Sequence, residues 1–438
     1  MFLYNLRIAA KSLRRNPILT TLLVGAIALG ICVSTTFIAL RHVYEKDPLP
    51  GKSSTMFNVR LDTWDPTRAY NPDDPKSLPV MLTYRDMRSL MKSNIPTRQT
   101  GTYKTTNFVF PDPKKGKPFS QDVRLVFSDF FPMFEVPFTY GGPWDKAADA
   151  KPEQVVVIDS AMNEKLFGGV NSVGKTVRLN QRDFKVVGVL DTWKPAFRYY
   201  DSNQGGSNSA PEALFIPFNF TEPLEIFTTG NSDGWKGQDG DGYQAYLNSE
   251  QTWITYWAEI PAPEKQQAFR DFVRSHILDQ KKLGRFPRPL NFRVSSMPEL
   301  FDEFGVVPTA VKSMSIVSLL FLIVCSLNLV GLLLGKFLAR VPEVSVRRAL
   351  GASRWQVFLQ HVVECELVGI VGGVIGLLLS IGVLEMISKF LPNGHIVGLD
   401  MEMVGVSIFL SLVAGLLAGI YPSWRVCSIA PAMQLKVQ

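Results

Sequence analysis

SMSIVSLLFLIVCSLNLVGLLLG, residues 313–335, contains no Asp, Glu, Lys or Arg. A helix needs roughly 20 apolar residues to cross the ~30 Å hydrocarbon layer. In lipid every backbone amide must bond within its own segment, so the stretch predicts a membrane-spanning helix. Pro17–Leu40, Leu367–Leu384 and Met403–Trp424 are equally free of charge. The run at Leu367–Leu384 reaches spanning length when its helix starts earlier, which puts Glu364 and Glu366 near or inside the interface. The expected fold class is membrane α-helical, with four transmembrane helices and a large α/β domain inserted between helices 1 and 2. The chain has 438 residues, net charge +7 and 46% hydrophobic content, and apolar residues gathered into such runs exclude a single soluble domain.

The expected division is an amphipathic helix at 1–16, spans at 17–42, 313–335, 355–384 and 403–424, and an inserted domain at 43–312. A loop at 336–354, a short turn at 385–402 and a tail at 425–438 complete it. Arg14 and Arg15 precede the first span as they would a signal peptide. Signal cores run only about 7–15 apolar residues, and Ile18–Leu40 is longer.

Lys and Arg beside spans mark the cytoplasmic side. Arg7, Lys11, Arg14 and Arg15 at the start, Lys336, Arg340, Arg347, Arg348 and Arg354 after the second span, and Arg425 and Lys436 at the end predict cytoplasmic termini and a cytoplasmic 336–354 loop. Glu385, Asp400 and Glu402 against Lys389 place the 385–402 turn, and with it the inserted domain, outside.

Within that domain Gln154–Ile158 is a β-branched run and Ser160–Phe167 a short helix closed by Gly168 and Gly169. Thr176–Leu179 and Asp183–Leu190 flank Asn180-Gln181-Arg182, a hairpin signal. Pro263–Leu283 has helical spacing, and Asn291–Val294 reads as a strand. Residues 201–242, rich in Gly, Asn, Ser and Asp, read as a loop or insertion, with the wider 201–250 stretch set apart as a loop or insertion in the domain. The domain has no cysteine: Cys32, Cys325 and Cys365 lie in or beside spans, and Cys427 in the tail. Trp193, Phe197, Tyr199 and Tyr200 form an aromatic cluster read as core or interface.

Catalytic patterns are weak. Gly169–Thr176 matches G-x-x-x-x-G-K-[ST], but a phosphate loop must follow a strand and open a helix. Here a helix precedes it and a hairpin follows, so the glycines read as turn residues. Asp239-Gly240-Asp241-Gly242 lacks the remaining ligands of a calcium loop. His42, His276, His361 and His395 have no ligand spacing. The expectation is a chain that is not an enzyme, with no catalytic residue, metal or cofactor of its own. Glu364 and Glu366 fall on different faces of a helix. Glu364 reads as an interhelical hydrogen bond or a headgroup contact, and Asn328 as a polar contact between helices.

The loop after the second span is itself structured. Pro342 suits a helix's first turn, and Gly351 the left-handed position past its end. Glu343 precedes Arg347 by four residues, the favourable order for an ion pair. Val346, Ala349 and Leu350 share one face, and Val344, Arg347 and Arg348 the other. Ser353-Arg354-Trp355-Gln356 matches a capping box opening the next helix. This construction suits a lever gripped by a partner, and equally an amphipathic helix resting on anionic lipid.

Glu343–Leu350 with Gly351-Ala352-Ser353-Arg354, followed by Glu364 and by Gly369, Gly372, Gly373 and Gly376, resembles the ABC-transporter permease family of FtsX and the macrolide exporter MacB. Leu6–Gly30, with Leu13-Arg14-Arg15-Asn16, is similar to that family's N-terminal helix and first span. Val123–Phe134 and Gln154–Leu190, with Leu166-Phe167-Gly168 and Val173-Gly174-Lys175-Thr176, are similar to its periplasmic core domain. Tyr421-Pro422-Ser423-Trp424-Arg425 through Pro431, Ala432 and Leu435 is similar to its closing motif.

The resemblance implies an inner-membrane permease acting as a dimer on two ATPase subunits, which hold the ATP and magnesium. It implies that Glu343, Val346, Arg347, Arg348, Ala349, Gly351 and Ala352 form a coupling helix against the ATPase. Pro342 stands where the family often has a basic residue, and Ser345 where Gly is usual. MacB carries its ATPase fused at the N-terminus; this sequence shows none, so a separate ATPase protein is expected. Gly369/Gly373, Gly372/Gly376 and Gly415/Gly419 are small-xxx-small pairs suited to helix packing. A second permease is expected, a paralogue slightly favoured over a second copy. The implied mechanism is mechanotransmission, serving one of three functions. Efflux with a periplasmic adaptor and an outer-membrane duct is favoured over lipoprotein release of the LolC or LolE kind, and over FtsX-like control of a cell-wall hydrolase. Membrane lipid is an expected partner, and nucleic acid is not.

Overall fold

The computed structural model describes residues 2–112, 116–193, 195, 198–201, 210–390 and 399–428. The chain divides into two units, Met1–Lys46 with Val307–Gln438, and Asp47–Val306.

The first unit is a helix bundle. Its elements are α1 (Phe2–Arg15), α2 (Pro17–Glu45), α3 (Thr309–Leu338), α4 (Val341–Ala349), α5 (Arg354–Phe390) and α6 (Met401–Ser428). Helices α2, α3, α5 and α6 are each long and apolar enough to cross a membrane. They outrun the windows expected from charge. Helix α2 continues past residue 42 to Glu45, α3 begins at Thr309 and takes in Lys336, and α5 runs from Arg354 to Phe390. Freedom from charge marks the lipid-facing part of a helix, whereas its backbone bonding continues into the interface, where charged side chains are tolerated.

Small residues let these helices approach closely. On α5, Gly369 and Gly373 face α6: a Cβ on Gly369 would lie 3.0 Å from Ser411 O, and one on Gly373 2.5 Å from Ser411 Cβ. Gly372 and Gly376 face α2, where a Cβ would meet Ile27 Cβ at 2.8 Å and Ala28 O at 2.6 Å. On α6, Gly415 faces Glu366 at 3.3 Å and Gly419 faces Cys365 Cβ at 2.5 Å. The six glycines therefore pack helices within one chain. Ser34 Oγ donates to Ser318 O (2.8 Å), and Thr35 Oγ1 to Ser407 Oγ (3.1 Å), adding polar ties across the bundle. Within the single chain Asn328 is exposed on α3, with Gly331 and Gly335 also facing open space.

The inserted unit is built on a mixed sheet of eleven strands among the described residues. These are β1 (Met56–Leu61), β2 (Leu82–Thr83), β3 (Arg98–Phe110), β4 (Phe119–Val126), β5 (Phe138–Gly141) and β6 (Val155–Ile158). They continue as β7 (Thr176–Leu179), β8 (Arg182–Leu190), β9 (Leu214–Pro217), β10 (Thr252–Glu259) and β11 (Phe292–Ser296). The order is β11-β1-β10-β3-β4-β9-β6-β8-β5, with β2 on β10 and β7 between β3 and β8. Among the described strand pairs, only β4–β9 and β6–β8 are parallel. Helix Pro263–Lys282 buries Phe269, Val273 and Ile277.

Local turn chemistry lies where the residues placed it. Gly168 closes helix Ser160–Phe167 at φ +74, and Asn180 turns the β7–β8 hairpin at φ +52. Among the described residues of 201–250, 221–242 are mainly turns and loop, as expected, but Leu214–Pro217 are not. Strand β9 runs between β4 and β6 in the sheet, and Leu214, Phe215 and Ile216 are fully buried. Arg124 on β4 is fully buried, bonded to Glu212 through Nε (2.7 Å) and Nη2 (2.7 Å), and to Asp201. Arg198 Nη1 and the Tyr200 hydroxyl also donate to Glu212, at 2.7 and 2.9 Å. A buried charge needs such partners, so this cluster ties residues 198–201 and 210–212 to the sheet. Tyr199 and Tyr200 are core, and Trp193 stacks on Tyr200 at 5.3 Å. Phe197 lies outside the described residues.

Candidate functional site

Helix α4 and the start of α5 form one construction. Pro342 occupies the first turn of α4, where its missing amide costs no hydrogen bond. Glu343 accepts from Arg347 Nη2 at 2.6 Å. At the far end Gly351 adopts φ +101. Its amide donates to Arg348 O and that of Ala352 to Arg347 O, both at 3.1 Å. That pair of bonds is a Schellman motif, which wants a residue without Cβ at Gly351. Ser353 then caps α5 reciprocally: Gln356 N donates to Ser353 Oγ (3.2 Å), and Ser353 N to Gln356 Oε1 (3.0 Å). Two helices are joined by a turn whose backbone groups are bonded, so their relative angle is held.

The two faces of α4 have opposite fates. Val341, Val344 and Ser345 are buried, and Val344 packs with Val357 and Cys427. Arg347 and Arg348 are half-buried on the same side; Arg347 also reaches Gln360 Oε1 (3.3 Å), and Arg348 donates to Cys427 O (3.3 Å). The face with Val346, Ala349 and Leu350 is open, with Val346 53% and Leu350 83% exposed. Trp355 continues it at 64%. Sequence spacing separated these faces without telling which one looks outward. Arg347 and Arg348, expected at the contact, bond within the chain to Gln360 and Cys427 O, and Ala352 packs against Val344, Val357 and Cys427. Cys427 belongs to the last turn of α6 rather than to a tail.

A buried polar group links three helices nearby. Glu364 pairs with Lys336 (2.6 Å) and Arg340 (3.6 Å), and accepts a hydrogen bond from Ser12. Lys336, read above as a loop cation, is a buried residue of α3. Residues 12, 336 and 364 have no local signature that would join them.

The remaining sequence candidates are dispersed. Lys175 is exposed over the Phe167 ring at 5.2 Å, and Gly174 N bonds Val186 O (2.8 Å) in a turn that enters a strand, not a helix. Asp239 pairs with Lys236 (2.6 Å) in an exposed turn. His276 bonds Asp86 (2.9 Å), and His361 bonds Val357 O (2.9 Å). His42, Asp400 and Glu402 place ligand atoms within 4.8 Å of one another, with Lys46 3.9 Å from Asp400 already supplying positive charge. His395, Pro431, Ala432, Leu435 and Lys436 lie outside the described residues.

The MacB-like periplasmic core domain family matches residues 20–265, and the FtsX-like permease C-terminal family matches residues 315–431. The macrolide export ATP-binding/permease protein MacB of Bdellovibrio bacteriovorus is 22% identical over 294 residues, covering 65% of this chain and 39% of that protein. The ABC transporter permease YvrN of Bacillus subtilis is 23% identical over 313 residues, covering 72% of this chain and 69% of YvrN. The chain thus spans about two fifths of the length of the MacB relative. The periplasmic region of MacB from Actinobacillus actinomycetemcomitans aligns at 13% identity and TM-score 0.37, over 59% of this chain and 98% of that one. Matched across more than half its length by one of these families and over α3 to α6 by the other, the chain belongs to the MacB-like, FtsX-like family of ABC transporter permeases.

Proposed function

We propose that the chain is the permease subunit of an inner-membrane ABC transporter, passing the work of a separate ATPase to a periplasmic domain through α4, the Gly351 turn and α5. The observation that carries this reading is the construction at 341–356. Helix α4 is anchored by Val344, Arg347 and Arg348, closed by two backbone bonds in the Gly351 turn, tied to α5 through Val344 against Val357 and Arg347 to Gln360, and open on Val346, Ala349 and Leu350. An exposed apolar patch rimmed by charge marks a docking surface. An ATPase seated there, holding its own ATP and magnesium, moves α5 whenever it moves α4.

Helix α5 bears on α2 through Gly372 and Gly376, and on α6 through Gly369 and Gly373. Helices α2 and α3 lead directly into and out of the inserted unit in sequence, so their displacement is passed on covalently. The distribution of Lys and Arg supports cytoplasmic termini, a cytoplasmic α4 and a periplasmic inserted unit. Because the glycine ridges are filled within the chain, a second permease, paralogue or copy, meets the open α3 face of Asn328, Gly331 and Gly335. The macrolide export named for the MacB relatives supports efflux, with a periplasmic adaptor and an outer-membrane duct as partners.

Gly351→Val tests the lever. A β-branched residue resists positive φ, so the turn opens while the exposed patch persists. The expected variant keeps its ATPase and hydrolyses ATP, yet exports no cargo. Export at the wild-type rate would refute the lever.

A further inference from the structure

A cavity of about 290 Å³ opens in the bundle beside α1, α4 and α5. Its charged wall comprises Lys11 and Arg15 of α1, Arg340 after α3, Glu343 and Arg347 of α4, and Glu364 of α5. Both acids are already committed: Glu343 to Arg347 at 2.6 Å, and Glu364 to Lys336 at 2.6 Å and Arg340 at 3.6 Å. Lys11 and Arg15, one turn apart on α1, have no ion-pair partner among the described residues, and both are exposed. The wall therefore carries surplus positive charge.

That surplus lies where the basic ends of the spans mark the membrane interface. A water takes up about 30 Å³, so the cavity accommodates roughly ten heavy atoms, the size of a glycerol phosphate head. Basic pockets between helices at the membrane edge are the form in which anionic headgroups are held. We infer that this cavity binds the phosphodiester headgroup of an anionic phospholipid of the phosphatidylglycerol type, with Lys11 and Arg15 as its phosphate partners. Arg347 and Glu343 share the wall, so an occupied cavity braces α4 against α1. That consequence rests on the coupling reading; the binding does not, and is tested by itself.

The experiment is thermal unfolding of the full chain in detergent, titrated with short-chain phosphatidylglycerol, short-chain phosphatidylcholine, or inorganic phosphate. Phosphatidylglycerol should raise the Tm saturably, and the other two should not. Lys11→Gln with Arg15→Gln should weaken the apparent affinity roughly tenfold or more. Arg7→Gln with Arg14→Gln removes the same charge from α1 outside the cavity and should leave affinity unchanged, as should Lys11→Arg with Arg15→Lys. Equal loss in both glutamine pairs would overturn the site in favour of diffuse attraction to the membrane. An equal shift from phosphatidylcholine would overturn the headgroup assignment. The same shift from inorganic phosphate would replace the lipid by a free anion.

Discussion

Lys336 Nζ lies 2.6 Å from Glu364 Oε1, with the two side chains 1% and 4% exposed. The pair joins α3 to α5, and Ser12 of α1 donates to the same carboxylate. Removing one partner of a buried pair strands the other charge at a cost of about 3–5 kcal/mol, whereas replacing both by apolar groups is often neutral. Glu364→Ala should therefore lower the Tm and the yield of folded chain in detergent. Lys336→Met with Glu364→Met should recover most of the loss. A single variant as stable as wild type would show that the pair does not hold α3 to α5.

The glycine ridges give a paired test. A side chain on Gly376 enters the Ala28 carbonyl and Ile31 on α2, whereas one on Gly331 meets nothing within 4 Å. Overpacking costs about 1–3 kcal/mol. Gly376→Leu should destabilise the single chain, and Gly331→Leu should leave its Tm unchanged while weakening association with a second permease, read by crosslinking. Equal Tm losses would contradict the assignment of these faces.

The inserted unit should lose stability on its acid side through Asp86. Burial opposes its charge, but the hydrogen bond with His276 and the charge of Arg285, 2.7 Å away, outweigh that and hold the carboxyl well below the usual carboxylate range. Because the folded-state pKa lies below the unfolded value of about 3.9, the stabilisation is present in full above that value and is lost as pH falls from it through the folded-state pKa. Urea unfolding should show Asp86→Asn less stable by about 3–5 kcal/mol near neutrality, with the gap closing below roughly pH 4. A gap independent of pH would exclude titration of Asp86 as its cause.

How far these features were legible depended on their range. The spans were readable because lipid forbids charge over some twenty residues, and the Gly351 turn and Ser353 cap because both are local in the chain. Strand β9 was hidden: Leu214–Pro217 is four residues long, ends in proline and sits in a stretch whose Gly, Asn and Ser suggest a loop. Its burial comes from β4 and β6, each more than fifty residues away in the chain. The outward face of α4 was hidden for the same reason, because Cys427, 79 residues from Arg348, decides which side is anchored.

Orientation is open to direct labelling. In a chain without the four native cysteines, Glu153→Cys and Ala349→Cys are both exposed positions in separate units. An impermeant reagent added to the periplasmic side should label Cys at 153 and spare Cys at 349. Labelling of 349 from outside would invert the topology and remove α4 from the ATPase.

The central claim is that the open face of α4 is where the ATPase docks. Val346→Asp with Leu350→Asp changes only exposed positions, which usually costs within ~0.5 kcal/mol each, so the variant should fold and insert normally. At a docked surface the two carboxylates would be buried without partners, and binding should fall tenfold or more, since an unpaired buried charge costs roughly 2–5 kcal/mol. The decisive measurement is co-purification of the cognate ABC ATPase with this variant from native membranes, against wild type. The account predicts an inserted, folded permease stripped of its ATPase; an undiminished ATPase yield would contradict it.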